Sequence, residues 1–170
     1  GQKKKDDARA AYIKAGEEGA DTRTAENIKG DFEKWKIVCD RKRSIEDRPR
    51  DVLKRDQPGH WEMDTVYSSK DDLTCLLVLT ERMTRREKIV KIPNRTASSV
   101  VKALDRIERR MGAPAFRETF KTITCDNGME FTDITGIEKS KLNKGSRTVL
   151  YFAHPYCSGE RGSNENQNKM

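Results

Sequence analysis

The chain has 170 residues, enough for one domain with a hydrophobic core plus a further segment. Charged residues make up 37%, mean hydropathy is −0.94, and base exceeds acid by 35 − 28 = +7. Part of the chain is therefore expected to be extended, disordered or matched to a polar partner, and a polyanion suits the charge. There is no run of about 18 apolar residues and no signal peptide, so nothing argues for membrane insertion or secretion. The cysteines, Cys39, Cys75, Cys125 and Cys157, form no C-x-x-C pair, which argues against a zinc ribbon or redox motif. Cys75 and Cys125 lie in apolar runs and read as small buried hydrophobes in a reducing, cytosolic setting.

Residues 1–57 read as a charged N-terminal segment and linker, partly helical or disordered. Ile28, Phe32 and Trp35 recur at helical spacing, which fits a docked helix or part of a nucleic-acid-binding arm. Arg41 to Arg50 reads as a basic linker. From residue 58 the pattern is that of a compact domain. Trp61–Tyr67 alternates as a strand, Leu73–Thr80 is an apolar β-rich run, and Glu87–Ile92 is a third strand ended by Pro93-Asn94. Thr96 caps a helix over Ala97–Met111, with Val100, Val101, Leu104, Ile107 and Met111 on one face, and Gly112 stops it. Lys121–Cys125 is a fourth strand, Thr132–Leu142 a helix, Thr148–Phe152 a fifth strand, and a last helix starts around residues 158–160. The order β-β-β-α-β-α-β-α describes an α/β domain, and it resembles the ribonuclease H-like fold, a mixed five-stranded sheet flanked by helices.

Three carboxylates stand out. Asp64 lies between Met63 and Val66 within a strand, where desolvation is costly unless a cation compensates; an edge-strand Asp facing water is the plain alternative. Asp126 follows an apolar strand into Asp-Asn-Gly, at the carboxyl end where α/β sheets place ligands; a simple Asx turn is the alternative, with Gly128 allowing positive φ. Glu160 opens the last helix and shares a face with Asn164 and Asn168; alone it reads as an exposed first-turn Glu.

Taken together, Gly-His-Trp-Glu-x-Asp-Thr-Val, Asp-Asn-Gly-x-Glu-Phe and His-Pro-Tyr-x-Ser-x-Glu-Arg-Gly-x-Asn-Glu-Asn closely resemble the insertion-sequence-30 family of bacterial transposases. That family belongs to the wider DDE transposase and retroviral integrase superfamily. The resemblance covers roughly residues 44–170, with 160 − 126 − 1 = 33 residues between the second and third carboxylates.

The resemblance implies that Asp64, Asp126 and Glu160 are catalytic and bind Mg²⁺ or Mn²⁺, two ions in all. It implies cleavage at transposon ends and strand transfer into target DNA by an oligomer assembled on DNA, without a membrane, in the bacterial cytoplasm at the nucleoid. The alternatives are a catalytically impaired DNA-binding fragment or another ribonuclease H-like nuclease.

His154, Arg161 and Asn164 are candidate DNA contacts, His154 equally a packed loop histidine. Glu62 is read as a salt-bridge partner before a metal ligand. Glu130 is read as a helix cap. Glu165 is the rival to Glu160, about 140° away on a helix. Gly159 stands where the family carries Trp, which removes packing from the start of the catalytic helix. The family also continues beyond the stretch corresponding to Met170 and carries an N-terminal helix-turn-helix that residues 1–40 do not show, so an isolated core is expected.

Overall fold

The computed structural model describes residues 41–67 and 74–154. Five strands form one sheet: β1 (His60–Tyr67), β2 (Cys75–Glu81), β3 (Glu87–Ile92), β4 (Thr122–Cys125) and β5 (Val149–Phe152). Their order is β3-β2-β1-β4-β5, with β1, β2 and β3 antiparallel and β4 and β5 parallel to β1. The described helices are α1 (Asp51–Lys54), α2 (Ala97–Met111), α3 (Ala113–Thr119) and α4 (Ile134–Glu138). Short 3₁₀ turns occupy Ile45–Asp47 and Met129–Phe131. The mixed five-stranded sheet is the one the element order led us to expect.

One face of the sheet carries the apolar core. Met63, Leu77, Leu79, Ile123, Cys125 and Leu150 are fully buried there against Val100, Leu104, Phe116, Phe120, Phe131 and Ile137. Each such side chain contributes roughly 1.5–3 kcal/mol. Cys75 and Cys125 are buried, as their apolar context suggested. The other face is mixed, with Leu76, Val78, Ile89 and Tyr151 beside polar and charged side chains. There Glu62 pairs with Arg82, the Arg48 guanidinium donates to Thr124 Oγ1 at 3.1 Å, and His60 Nδ1 meets Thr122 Oγ1 at 2.8 Å. Residues 43–52 lie against the domain. Phe152 N donates to Arg43 O at 2.9 Å, Ser44 bridges to Phe152, and Val52 is 1% exposed.

Helix α2 runs over the expected span, capped by Thr96, whose Oγ accepts from Ser99 N at 3.3 Å. Gly112, at φ +81, ends it as expected. The chain then re-enters a helix at once, which the sequence reading missed. Pro114 sits in the first turn of α3, where its missing N–H costs nothing, and Phe116 and Phe120 stack at 4.6 Å. Gly-Ala-Pro reads as a stop, but here it is also a start.

The helix expected over Thr132–Leu142 is cut to five residues, and the cause is Arg147. Its guanidinium takes the carbonyls of Gly136 and Ile137, both at 2.8 Å, and its N–H takes that of Glu138 at 2.7 Å. With its last carbonyls captured, α4 ends and Lys139 turns extended.

Acid should weaken this fold in two steps. Burial, with Lys121 beside it, holds the His60 imidazole below its usual range. The unfolded chain therefore binds a proton near 6.5 that the folded chain refuses, and stability is lost as pH falls below that value. Burial raises the Glu81 carboxyl, but donors from Thr84, Met83 and Gly59 outweigh it and hold it below 4.5. Glu108 behaves likewise: burial is outweighed by Ser140, Lys141 and Arg147. Their contribution is present above 4.5 and lost below it. Urea midpoints should fall slightly from about pH 7 to about 5.5 and steeply below about 4.5, and His60→Gln should flatten only the first step.

Candidate active site

Two of the three singled-out carboxylates come together on two neighbouring interior strands, toward the carboxyl end of β4. β1 and β4 run parallel in the register His60↔Thr122, Trp61↔Ile123 and Glu62↔Thr124. Extending it by two residues sets Asp64 level with Asp126, just past the carboxyl end of β4. Strand alternation turns both toward the face opposite the core, away from Met63 and Cys125. Adjacent parallel strands lie roughly 4.8 Å apart, so two such carboxyl groups can reach one ligand.

Local structure orients each carboxylate. Asp64 Oδ1 accepts from Thr65 N at 2.8 Å, and Asp126 Oδ1 accepts from Gly128 N at 2.9 Å. Asn127 clamps the turn to the exit of β5: its Nδ2 donates to Ala153 O at 2.7 Å, and its Oδ1 accepts from Lys42 Nζ at 2.9 Å. The Asx turn and the strand-end position thus occur together.

Gly128 corrects the sequence reading. Its φ is −55, so positive φ is not why glycine stands here. A Cβ at 128 would lie 2.4 Å from Glu130 Oε2 and 3.0 Å from Asp126 Oδ1. Space is the reason. Gly128→Ala should cost about 1–3 kcal/mol, read as a lower urea midpoint, because the Glu130 carboxyl that must give way is clamped.

That clamp is the feature that sequence reasoning missed. Glu130 is 2% exposed, pairs with Arg95, and accepts from Thr65 Oγ1 at 2.7 Å. It does not cap a helix, as had been expected; it ties the Asp126 turn to the residue after Asp64. Arg95 also lies over the Tyr67 ring at 5.5 Å. The available signal was a charged residue two positions after Gly128, followed by buried Phe131.

Glu62 forms its salt bridge with Arg82 and is fully buried, as the preferred reading had it. His154 Nε2 lies 3.6 Å from Glu46 Oε1. Glu160, Arg161, Asn164 and Glu165 lie outside the described residues, as do Gly159 and the stretch Ile28–Val38. Among the described residues no three His, Cys, Asp or Glu side chains gather as a metal site. Asp64 and Asp126 provide two hard oxygen donors, a set that fits Mg²⁺ or Mn²⁺ and that a third carboxylate would complete. No helix among the described residues is long and apolar enough to cross a membrane.

Comparison with known proteins bears on this arrangement. The model of the Integrase core domain family matches residues 54–145. The probable transposase for insertion-like sequence element IS1161 of Streptococcus salivarius is 37% identical over 129 residues, covering 75% of this chain and 33% of that protein. The transposase InsI for insertion sequence element IS30A of Escherichia coli (strain K12) is 32% identical over 132 residues, covering 74% of this chain and 30% of that protein. The chain therefore spans about a third of the length of the curated relatives it matches. A chain of the simian T-cell lymphotropic virus intasome, solved with PP2A regulatory subunit B56 gamma, superposes with a TM-score of 0.50 at 18% identity, over 65% of this chain and 37% of that one. That likeness concerns the fold alone, which is ribonuclease H-like. With 145 − 54 + 1 = 92 of its 170 residues matched, the chain belongs to the Integrase core domain family.

Proposed function

We propose that this chain is the catalytic core of a DNA transposase, a metal-dependent polynucleotidyl transferase in which Asp64 and Asp126 hold the metal and Glu160 supplies the third carboxylate. The observation that carries the reading is the parallel register of β1 and β4, which brings Asp64 level with Asp126 just past the end of β4, each with one carboxyl oxygen held by a backbone N–H.

Mg²⁺ or Mn²⁺ ions bound there would activate an attacking oxygen and stabilise a leaving one. The protein's own part is positioning. Pairing with Val78 of β2 and the Thr65 N–H fix Asp64, while Gly128 N–H, Asn127 and Glu130 hold the Asp126 turn. The attacking groups would be water, then a DNA 3′-hydroxyl, so no Ser, Cys or Tyr nucleophile is needed. The substrates would be transposon ends and target DNA, paired by an oligomer in the bacterial cytoplasm, and the +7 charge suits them. His154, Arg161 and Asn164 are the proposed DNA contacts near Glu160.

The test is strand transfer from a duplex with a recessed 3′-hydroxyl into plasmid DNA, with and without Mn²⁺. Metal-dependent product is expected. Equal product from the wild type and an Asp64→Asn/Asp126→Asn/Glu160→Gln variant would sink the reading. Cleavage of an RNA–DNA hybrid without strand transfer would point to another nuclease of this fold.

A further inference from the structure

Helix α2 has an unusual division of charge. Its two acids, Asp105 and Glu108, are 3% and 0% exposed and turn inward to Arg147. All four charged side chains it exposes are cations: Lys102, Arg106, Arg109 and Arg110. The sequence alone suggests an Asp105–Arg109 pair at i, i+4, which would neutralise this surface. Arg147 takes that acid away. Among the described residues no carboxylate is within ion-pair distance of Lys102, Arg106 or Arg109.

These three cations sit at i, i+4 and i+7, on one face, and span about 10 Å along the helix. They line a groove of ≈ 640 Å³ whose other end carries Asn94, Thr96 and Ser98 at the N-terminus of α2. The groove begins at the end of the sheet where β1 finishes. Ile92 pairs with Cys75, and Cys75 with Tyr67, the last residue of the strand that bears Asp64.

We propose that this groove and the cationic face of α2 bind the sugar–phosphate backbone of duplex DNA, independently of sequence. The inference rests on the reading of the chain as a DNA-acting core. It adds a contact surface apart from the carboxylates. About 10 Å of cations matches roughly three steps of one strand at 3.4 Å per phosphate. Hydroxyl and amide donors at the groove's end suit phosphate oxygens.

The test uses the full 170-residue chain and a labelled duplex of arbitrary sequence, with anisotropy read across a salt series. Lys102→Gln/Arg106→Gln/Arg109→Gln should weaken binding at least about tenfold at low salt. It should also make the slope of log affinity against log salt less negative by about 2.7, at 0.9 per lost phosphate contact. Lys102→Arg/Arg106→Lys/Arg109→Lys should bind like wild type. The exchanged side chains are exposed, and an unchanged Tm checks that the fold survives. Unchanged affinity and slope in the glutamine variant would overturn the proposal. So would displacement of DNA by polyglutamate as effectively as by unlabelled duplex, which would point to an acidic protein partner. If wild type binds duplex through α2 but shows no metal-dependent transfer, the catalytic reading fails and this surface stands; transfer with an unaltered glutamine variant gives the reverse.

Discussion

Asp64→Asn and Asp126→Asn are each expected to lower metal-dependent strand transfer by more than about 100-fold, since outer partners of metal sites alone are worth 10–100-fold. The amide keeps size and shape and can still accept from Thr65 N or Gly128 N. What it loses is the charge that holds a divalent cation. Two further readouts separate this loss from misfolding. Mn²⁺ should raise the Tm of the wild type, because a ligand that binds only the folded state stabilises it, and should not raise that of either variant. The metal-free variants should melt close to the wild-type temperature, because the amide keeps the hydrogen bond from Thr65 N or Gly128 N. Wild-type turnover by either variant would remove the residue from the site.

Arg147→Met should destabilise the domain by about 3–5 kcal/mol, or roughly 10 °C in Tm, a larger loss than Gly128→Ala brings. The Arg147 side chain is fully buried and donates to Asp105 Oδ1 at 2.8 Å and Glu108 Oε2 at 3.0 Å, besides the α4 carbonyls. Ser140 Oγ and Lys141 N complete the shell around Glu108. Methionine fills most of the volume but leaves two buried carboxylates without their cation. Adding Asp105→Leu and Glu108→Leu should restore much of the loss, because an apolar replacement of a whole buried ion cluster is often near neutral. A triple variant as unstable as the single would show that the helix-capping bonds to Gly136 and Ile137, and not the ion pairs, carry the effect. Thermal unfolding of the three proteins decides this.

The sequence made the strands and the main helix legible because their signals are local. Alternation in Trp61–Tyr67, the apolar run ending in β2, and the 3.6-residue stripe of Val100, Leu104 and Ile107 each require only neighbouring residues. The same holds for the order of the three motifs and for Asp64 and Asp126 as candidates. Helix α3, the short α4 and the docking of residues 43–52 were not legible, because each depends on a partner distant in the chain.

What the amino-acid order determined by itself is thus the α/β class, the five strands in order and the helix over Ala97–Met111, with Asp64 and Asp126 as candidates. The tertiary structure decided which charges are spent inside. It turned Asp105 and Glu108 to Arg147, about 40 residues away, and Glu130 to Thr65 and Arg95, and it set Asp64 beside Asp126 across 62 positions (126 − 64). A buried charge finds the partner that the packing brings within about 3 Å, and sequence spacing carries no record of that distance.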